Sequence, residues 1–489
     1  MKFFRTKKVN NYCCLRRFVI KFRKKFFAKE FFMTRSERRR EQKKYEKDFA
    51  AFCKITKQYF PELIQWLQEL KDPRKFWTYE IEVILMTVIM KNICNIHSMQ
   101  KMTDEFLKEE CVENLCRILN IETHEFLPHY VTINEFLSKM EVSELECLRK
   151  KIIRALLRRR KFENAKFLGK YWMVIFDATG LFHFSERHCP HCLKKVLNKG
   201  TKEEKEIYYH HVLEAKLVLG DGLVISIGTE FIENEDENVS KNDCETKAFK
   251  RLSERLKKEY PRLPVCVLAD SLYASEPVFE RCLKQNQWHI LLRYKEGSIP
   301  SIAEEYRSIA EMGEAGELDR EIAREYPRKG KVKETHHMEW VPEIDYRGYK
   351  LTLLALEIEV YSEKTGRTET KMFQWLTDLR VTGKNAGEFA RVGRGRWQIE
   401  NEGFNIQKNI RYDIQHVNSE NYNAMKCHYL LTQIADILLQ LYEKGSPGLR
   451  EAKRTIKNIS SDLLKSFGKK LSSEDILFIE THGYVKAVV

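Results

Sequence analysis

Three acidic residues stand where their carboxylates could share one site. Asp177 follows the apolar run YWMVIF and Asp270 follows PVCVLA, and both runs are typical of buried strands. Glu400 lies in the charged stretch GRGRWQIENEGFNIQKN, residues 393–409. Acids that emerge side by side from neighbouring strands are well placed to hold divalent cations, and two such cations can support in-line phosphoryl transfer. The pair of aspartates, completed by a glutamate from a helix packed on the sheet, therefore predicts a two-metal site.

Helix geometry separates Glu400 from a second glutamate in the same stretch, Glu402. Arg396 lies four residues before Glu400, so the two side chains would share one face of a helix. Glu402 is rotated by about 200° from Glu400 at 3.6 residues per turn. The two glutamates therefore cannot both point into one site, so at most one of them can be the third metal ligand.

Residues 166–300 predict the sheet that must position the two aspartates. Apolar runs and turn signals give the order β-β-β-α-β-α-β, which indicates an α/β core with a mixed sheet. Asp177 is predicted to end the first strand and Asp270 the fourth. In a sheet with this order of elements, the first and fourth strands are usually neighbours. Gly220-Asp221-Gly222 predicts a hairpin between the second and third strands.

The other segments differ in character. Residues 1–45 are predicted to be a basic, disordered arm. Residues 46–165 show helical spacing and end in the basic helix ELECLRKKIIRALLRRRKF, so this domain could bind DNA or mediate dimerisation. Residues 301–382 begin with a charged, partly helical piece and continue with three alternating strands, which predicts a β-rich insertion. Residues 383–445 hold the last helices, including the one with the third acid, and 446–489 form a tail.

At the three acids the chain resembles the DDE transposases of bacterial insertion sequences. The resemblance rests on VIFDATG, LADSLYA and RWQIEN, and it covers roughly residues 130–440. It is closest to the group with a Tyr-x2-Arg-x3-Glu-x6-Lys signature and a β-rich insertion between the second Asp and the Glu. The acids are 270 − 177 = 93 and 400 − 270 = 130 residues apart. Arg396 and Glu400 match the signature, whereas its Tyr position falls on Gly393 and its Lys position on Gln407, one residue before Lys408.

The resemblance implies an RNase H-like fold and DNA transposition, in which hydrolysis at transposon ends frees a 3′-OH that then attacks target DNA. It implies Asp177, Asp270 and Glu400 as ligands of two Mg²⁺ or Mn²⁺ ions. Arg396 and Lys408 would contact DNA phosphates. A homodimer is expected, since two transposon ends must be paired. Two alternatives stay open: a stand-alone metal-dependent DNA nuclease of the same fold, and a DNA-binding derivative that has lost catalysis.

A second group of residues could bind zinc. Cys189 and Cys192 form a Cys-x2-Cys knuckle, and His210 and His211 follow after a Lys-rich loop. Two thiolates and two imidazoles would suit a structural, tetrahedral Zn²⁺ site, and a reduced knuckle beside surface histidines is the alternative. In the zinc-dependent nucleobase deaminases a His-x-Glu motif precedes the Cys-x2-Cys pair, and no such motif precedes Cys189 here, which argues against catalytic zinc.

The charge of the chain is concentrated at its beginning. The formal net charge is +15, but residues 1–40 contain 15 Lys and Arg and 2 Glu, a net of 15 − 2 = +13, which leaves +2 for the rest. Such an arm can bind phosphates without reading sequence, although translation could instead start at Met33. We expect a cytoplasmic protein that associates with the bacterial nucleoid when it acts, because the longest apolar runs are shorter than the ~18 residues that span a bilayer. The 13 cysteines are expected to be reduced thiols.

Overall fold

The structure is a computed structural model that describes residues 47–220, 222–326, 330–363, 365–398, 403–445, 449 and 454–481. The basic arm, Met33, Glu400 and Glu402 lie outside the described residues. The described helices and strands pack around one continuous apolar core. None of these helices has the length and apolar character needed to cross a bilayer.

From residue 47 onwards, where the described part of the chain begins, seven helices precede the sheet, and they pack around the most apolar one. That helix, α3 (Ile81–Ile93), is buried along its whole length because its sequence is apolar on every face. It contacts α2, α5 and the long C-terminal helix α12 (Tyr422–Gly445), which also packs on strand β4. The other helices of this group are α1 (Asp48–Tyr59), α2 (Leu63–Gln68), α4 (Met99–Glu105), α5 (Glu109–Leu119), α6 (Tyr130–Lys139) and α7 (Val142–Arg158).

The basic helix α7 uses several of its cations inside the fold. Arg149 is 3% exposed and donates to the hydroxyls of Ser226 and Thr229 on the sheet. Lys151 forms an ion pair with Glu69 at 2.7 Å. Arg149 thus attaches α7 to the sheet and Lys151 attaches it to the end of α2, so part of the basic character of α7 serves packing.

The central strands have the arrangement expected for an RNase H-like core. Strand β1 pairs antiparallel with β3 and parallel with β5, β4 pairs antiparallel with β3, and β5 pairs parallel with β6. Helix α8 (Glu245–Glu259) packs on β3 and β4. The strands are β1 (Trp172–Phe184), β2 (Leu193–Leu197), β3 (Lys205–Val218), β4 (Val224–Ile232), β5 (Val265–Ala269) and β6 (His289–Tyr294). The α/β fold class predicted from the sequence is confirmed.

The predicted hairpin between β3 and β4 is also confirmed. Val218 pairs with Val224, and the backbone N–H of Leu223 donates to the carbonyl of Gly220 at 2.7 Å. Gly220 and Gly222 have φ angles of 82° and 73°, which glycine adopts without a steric penalty.

The insertion extends the same sheet rather than forming a separate layer. Strand β10 (Arg367–Thr377) pairs antiparallel with β6, so the described residues form one ten-stranded sheet of order β2-β3-β1-β5-β6-β10-β9-β8-β7, with β4 on β3. Helix α9 (Glu276–Phe279) precedes β6, and α10 (Pro300–Glu311) precedes β7. The remaining strands of the insertion are β7 (Gly316–Tyr326), β8 (Gly330–Tyr346) and β9 (Tyr349–Ser362).

Two strands were missing from the sequence-based prediction, and both have a polar sequence. β2 (LKKVL) and β7 (GELDREIAREY) lie at the two ends of the strand order and are held by backbone pairing with β3 and β8, respectively. Such edge strands need no apolar run, because only one neighbour and few core residues define them.

The prediction that Asp177 ends the first strand is wrong as well. β1 continues to Phe184 because β3 stays paired with it as far as Tyr208, beyond the last residue of β5.

The described residues after the sheet form four helices: α11 (Ala386–Gln398), α12, α13 (Ile456–Phe467) and α14 (Ser473–Glu480). Helix α11 begins inside the Gly383–Gly387 segment, slightly earlier than predicted. Between α11 and α12, Gln407–Arg411 forms a π-helical turn, in which the backbone holds one more residue per turn than an α-helix would.

Candidate active site

The parallel pairing of β1 with β5 places the two predicted aspartates at one edge of the sheet. The last paired residues are Ile175 and Leu268, and each aspartate lies two positions further along its strand. The Asp270 carboxylate also accepts the backbone N–H of Leu272 at 2.8 Å, which orients it at the start of a short 3₁₀ turn. Parallel strands therefore bring Asp177 and Asp270 to the same place, as their sequence positions predicted.

Both aspartates line a polar cavity of about 530 Å³ that also receives the predicted basic residues. The other lining residues come from β1, from the last turn of α11 and from the segment that follows α11: Ala178, Thr179, Arg396, Phe404, Asn405, Lys408 and Asn409. Four of the five residues predicted for catalysis or phosphate contact are thus gathered around one space. The fifth, Glu400, lies outside the described residues, but Arg396 and Phe404, four positions before and after it, both line the cavity.

Gly393, which stands at the Tyr position of the family signature, has a structural reason to be glycine. A Cβ atom built there would lie 2.5 Å from Cε2 of Trp375, a residue of β10 that is 1% exposed. Helix α11 can approach the sheet this closely only if residue 393 has no side chain. The departure from the signature is therefore a packing requirement between α11 and the strand that joins the insertion to the core.

The π-helical turn accounts for the displaced lysine of the signature. Gln407, at the Lys position, is 1% exposed, and its amide donates to Gln433 and to Asp436 at 3.1 and 3.0 Å. Lys408 lines the cavity instead. Gln407 and Lys408 are the first two residues of the π turn, which buries the first side chain and presents the second to the cavity. Burial lowers the pKa of Lys408, and the nearby Asp177 carboxylate opposes that shift.

Charged residues buried beneath the cavity were missed by sequence reasoning. Glu214 is the β3 partner of Asp177, and Lys216 lies two residues further along the same face of that strand. Both side chains are 0% exposed, and the Lys216 ammonium lies 5.0 Å from the ring of Phe404, a cavity residue. Burial lowers the pKa of Lys216, while Glu214 is the strongest influence that raises it. The sequence feature that could have revealed these two residues is a pair of charged side chains inside the apolar run VLEAKLVL.

A further carboxyl group lies near Asp270. Glu245, in the first turn of α8, accepts a hydrogen bond from the Tyr273 hydroxyl at 2.6 Å. Burial raises the pKa of Glu245, and the negative charge of Asp270 adds to that shift. Tyr273 is fully buried and thereby links the turn that carries Asp270 to helix α8.

Three of the four residues proposed for zinc lie together, and the fourth does not. The sulfurs of Cys189 and Cys192 and Nε2 of His210 are within 4.8 Å of one another. His211, the next residue of β3, has its side chain on the other face of the sheet, against Gly180 and Tyr209. Burial, together with His183 and Lys408, lowers the pKa of His211 to about 4. The structure therefore removes His211 from the predicted zinc ligands.

The carboxylates of the cavity suit a hard divalent cation. Mg²⁺ prefers carboxylate oxygens and keeps several water ligands, and Asp177 and Asp270 offer such oxygens in a polar, open space. Two basic side chains, Arg396 and Lys408, line the same space. The donor set is therefore compatible with Mg²⁺ or Mn²⁺.

Lys408→Ala is expected to weaken DNA binding mainly through its electrostatic part. If Lys408 contacts one phosphate, its removal should lower the slope of log affinity against log salt by about 0.9. Fluorescence anisotropy with a labelled duplex over a salt series measures this slope. Lys258→Ala removes a lysine that is paired with Glu254 on the exposed face of α8 and should leave the slope unchanged. Equal slopes for Lys408→Ala and the wild type would exclude the phosphate contact.

Comparison with known proteins agrees with this geometry. Residues 222–436 match the family model described as the transposase DDE domain. The match includes Asp270, Arg396 and Lys408 and begins after Asp177. A search of curated proteins found no match. The RNase H-like sheet and the two aspartates at its edge agree with this match, so residues 222–436 belong to a transposase DDE domain, and the proteins of this domain family carry out phosphoryl transfer on DNA.

Proposed function

We propose that this protein hydrolyses DNA at transposon ends to free a 3′-OH and then joins that hydroxyl to target DNA. The observation that carries the proposal is the cavity in which Asp177, Asp270, Arg396 and Lys408 meet. A phosphodiester has one negative charge. This cavity offers two carboxylates that can hold divalent metal ions and two basic side chains that can bind phosphate oxygens. That combination suits a phosphate held for in-line attack.

In the proposal, Asp177, Asp270 and Glu400 hold two Mg²⁺ or Mn²⁺ ions. When bound, these ions activate the attacking oxygen and stabilise the leaving oxygen. Arg396 and Lys408 bind the non-bridging phosphate oxygens and align the scissile bond, because Arg and Lys are strong donors to phosphate. Glu402 has a structural or DNA-proximal role, since helical geometry turns it away from Glu400.

The buried charges beneath the cavity preorganise these groups. Lys216 is fully buried, so its amino group stays near Asp177 and Glu214 whether or not DNA is bound. The network of Gln407 with Gln433 and Asp436 fixes the π turn that presents Lys408. The substrate is double-stranded DNA, both as transposon ends and as target. A homodimer would pair the two ends, and the reaction would take place on the bacterial nucleoid.

An assay with two products tests the proposal. A labelled duplex that contains the inverted repeats flanking the gene is incubated with the full chain and a supercoiled plasmid, with Mg²⁺ or with a chelator. We expect Mg²⁺-dependent cleavage at the repeat boundary and joining of the label to the plasmid. Cleavage without joining would favour the stand-alone nuclease, and binding without either product would favour the DNA-binding derivative.

The two glutamates provide a matched pair in the same assay. Glu400→Gln is expected to reduce cleavage and joining on the order of 10³-fold, because a metal ligand loses its charge. Glu402→Gln, two residues away and identical in chemistry, should stay within about threefold of the wild type, since helical spacing would place residue 402 on the opposite face from residue 400. The reverse result, with Glu402→Gln inactive and Glu400→Gln active, would overturn the assignment of the third ligand.

A further inference from the structure

A second site, separate from the catalytic cavity, lies where the turn between β1 and β2 meets β3. Cys189 and Cys192 come from the turn, and His210 comes from β3. Cys192 and His210 are 0% exposed, whereas Cys189 is half-buried. The DDE domain match begins at residue 222 and does not include these residues.

The distances among the three side chains fit the edges of a tetrahedron around zinc. Zn–S and Zn–N bonds of about 2.3 and 2.0–2.1 Å at tetrahedral angles place two sulfurs about 3.8 Å apart and a sulfur and a nitrogen about 3.6 Å apart. The two sulfurs here are 3.6 Å apart, and each lies 3.4 Å from Nε2 of His210. A disulfide would need about 2.0 Å between the sulfurs. The three donors are therefore arranged to surround a common point.

The surroundings hold these donors in place. The backbone N–H of Cys189 lies 3.4 Å from the sulfur of Cys192 and donates to it, which favours a thiolate there. The His210 ring stacks on Tyr422 with centroids 4.1 Å apart. The Tyr422 hydroxyl in turn donates to Glu233 at 2.7 Å. The only polar neighbours that the described residues provide for the His210 imidazole are the two sulfurs, because its Nδ1 has no hydrogen-bond partner among them.

We propose that Cys189, Cys192 and His210 bind one Zn²⁺ ion, with a water molecule as the fourth ligand on the half-exposed side at Cys189. Two thiolates and one imidazole are a soft donor set that selects Zn²⁺ over the Mg²⁺ preferred by the catalytic carboxylates. The ion joins the β1–β2 turn to β3. Through the stacked Tyr422 it also supports the start of helix α12.

Metal content of the purified full chain tests the proposal. The wild type, purified without chelator and passed through a desalting column, is expected to contain about one zinc ion per chain by mass spectrometry of the metal. Cys189→Ser, Cys192→Ser and His210→Ala should each lower that content by about tenfold or more. Three controls should keep the ion: His211→Ala on the neighbouring position of β3, Cys147→Ser at an exposed cysteine, and Asp177→Asn in the catalytic cavity.

Cobalt and thiol chemistry identify the ligands independently of folding. The Co²⁺-substituted wild type should show a sulfur-to-cobalt charge-transfer band, which falls by about half in either cysteine variant that stays folded. If the variants do not fold, titration of the wild type with a mercurial reagent should release zinc as two thiols react. Three outcomes would each overturn the proposal. They are a folded wild type without zinc and without the cobalt band, zinc retained in the three ligand variants, and a Cys189–Cys192 disulfide in the purified protein.

Discussion

Asp177→Asn and Asp270→Asn are each expected to reduce DNA cleavage on the order of 10³-fold, the size of effect associated with the loss of one preorganised electrostatic contact or more. Asparagine keeps the shape of the side chain but removes the negative charge that holds a divalent cation. The two residues lie at equivalent positions beyond the paired part of β1 and β5 and line the same cavity. Single-turnover cleavage of the end-containing duplex, at saturating enzyme, measures the chemical step directly.

DNA binding by the two variants separates a catalytic from a structural cause. Removing a carboxylate from a cavity that receives phosphate should leave the affinity unchanged or raise it, since repulsion decreases. Asp345→Asn is the matched control. Asp345 is an exposed aspartate of the insertion, paired with Lys350 at 3.0 Å, and its replacement should leave cleavage within about twofold of wild type. Wild-type cleavage by Asp177→Asn or Asp270→Asn would contradict the two-metal site at this edge of the sheet.

Arg411→Met is expected to destabilise the fold by about 3–5 kcal/mol, the usual cost of leaving a buried charge without its partner. Arg411 is 4% exposed and donates to Asp436 at 3.3 Å and to Glu443 at 2.6 Å. Methionine fills much of the same volume but leaves both carboxylates of α12 without a cation. Equilibrium unfolding in urea at neutral pH measures the change in the free energy of unfolding.

The destabilisation by Arg411→Met should become smaller at acidic pH. Burial raises the pKa of Glu443, and Arg411 is the strongest influence that lowers it. Without the arginine, the folded-state pKa rises further above the unfolded value. The variant is then stable with a protonated Glu443 at low pH and loses stability as the pH rises through that pKa. Arg391→Met is the control. Arg391 is 72% exposed and lies 3.8 Å from Glu388, so its replacement should lower the free energy of unfolding by less than about 1 kcal/mol at any pH. A pH-independent loss in Arg411→Met would mean that cavity formation, not the unpaired carboxylates, causes it.

The strands of the core could be predicted because they are buried and therefore apolar. Runs such as VIF before Asp177 and VCVLA before Asp270, with turn signals on either side, are typical of buried strands. The order of these elements also predicted that the two aspartates would be neighbours, and the parallel pairing of β1 with β5 agrees. The edge strands β2 and β7 could not be found in this way, because pairing with one neighbour rather than burial makes them strands.

The amino-acid sequence by itself determined which residue types could act on a phosphodiester and where along the chain they stand. Their chemistry is local: a carboxylate after a buried strand, an arginine four residues before a glutamate, a Cys-x2-Cys knuckle. Only the tertiary structure decided which neighbours each residue has. It showed that Gly393 must be glycine because Trp375 fills the space beside it, and that a π turn presents Lys408 and buries Gln407. It also placed His210, and not His211, beside the two cysteines. Adjacent residues of a strand face opposite sides of a sheet, and the turn with the cysteines covers the side of His210. Each of these outcomes depends on atoms brought together from distant parts of the chain, and such contacts have no signature in the local sequence.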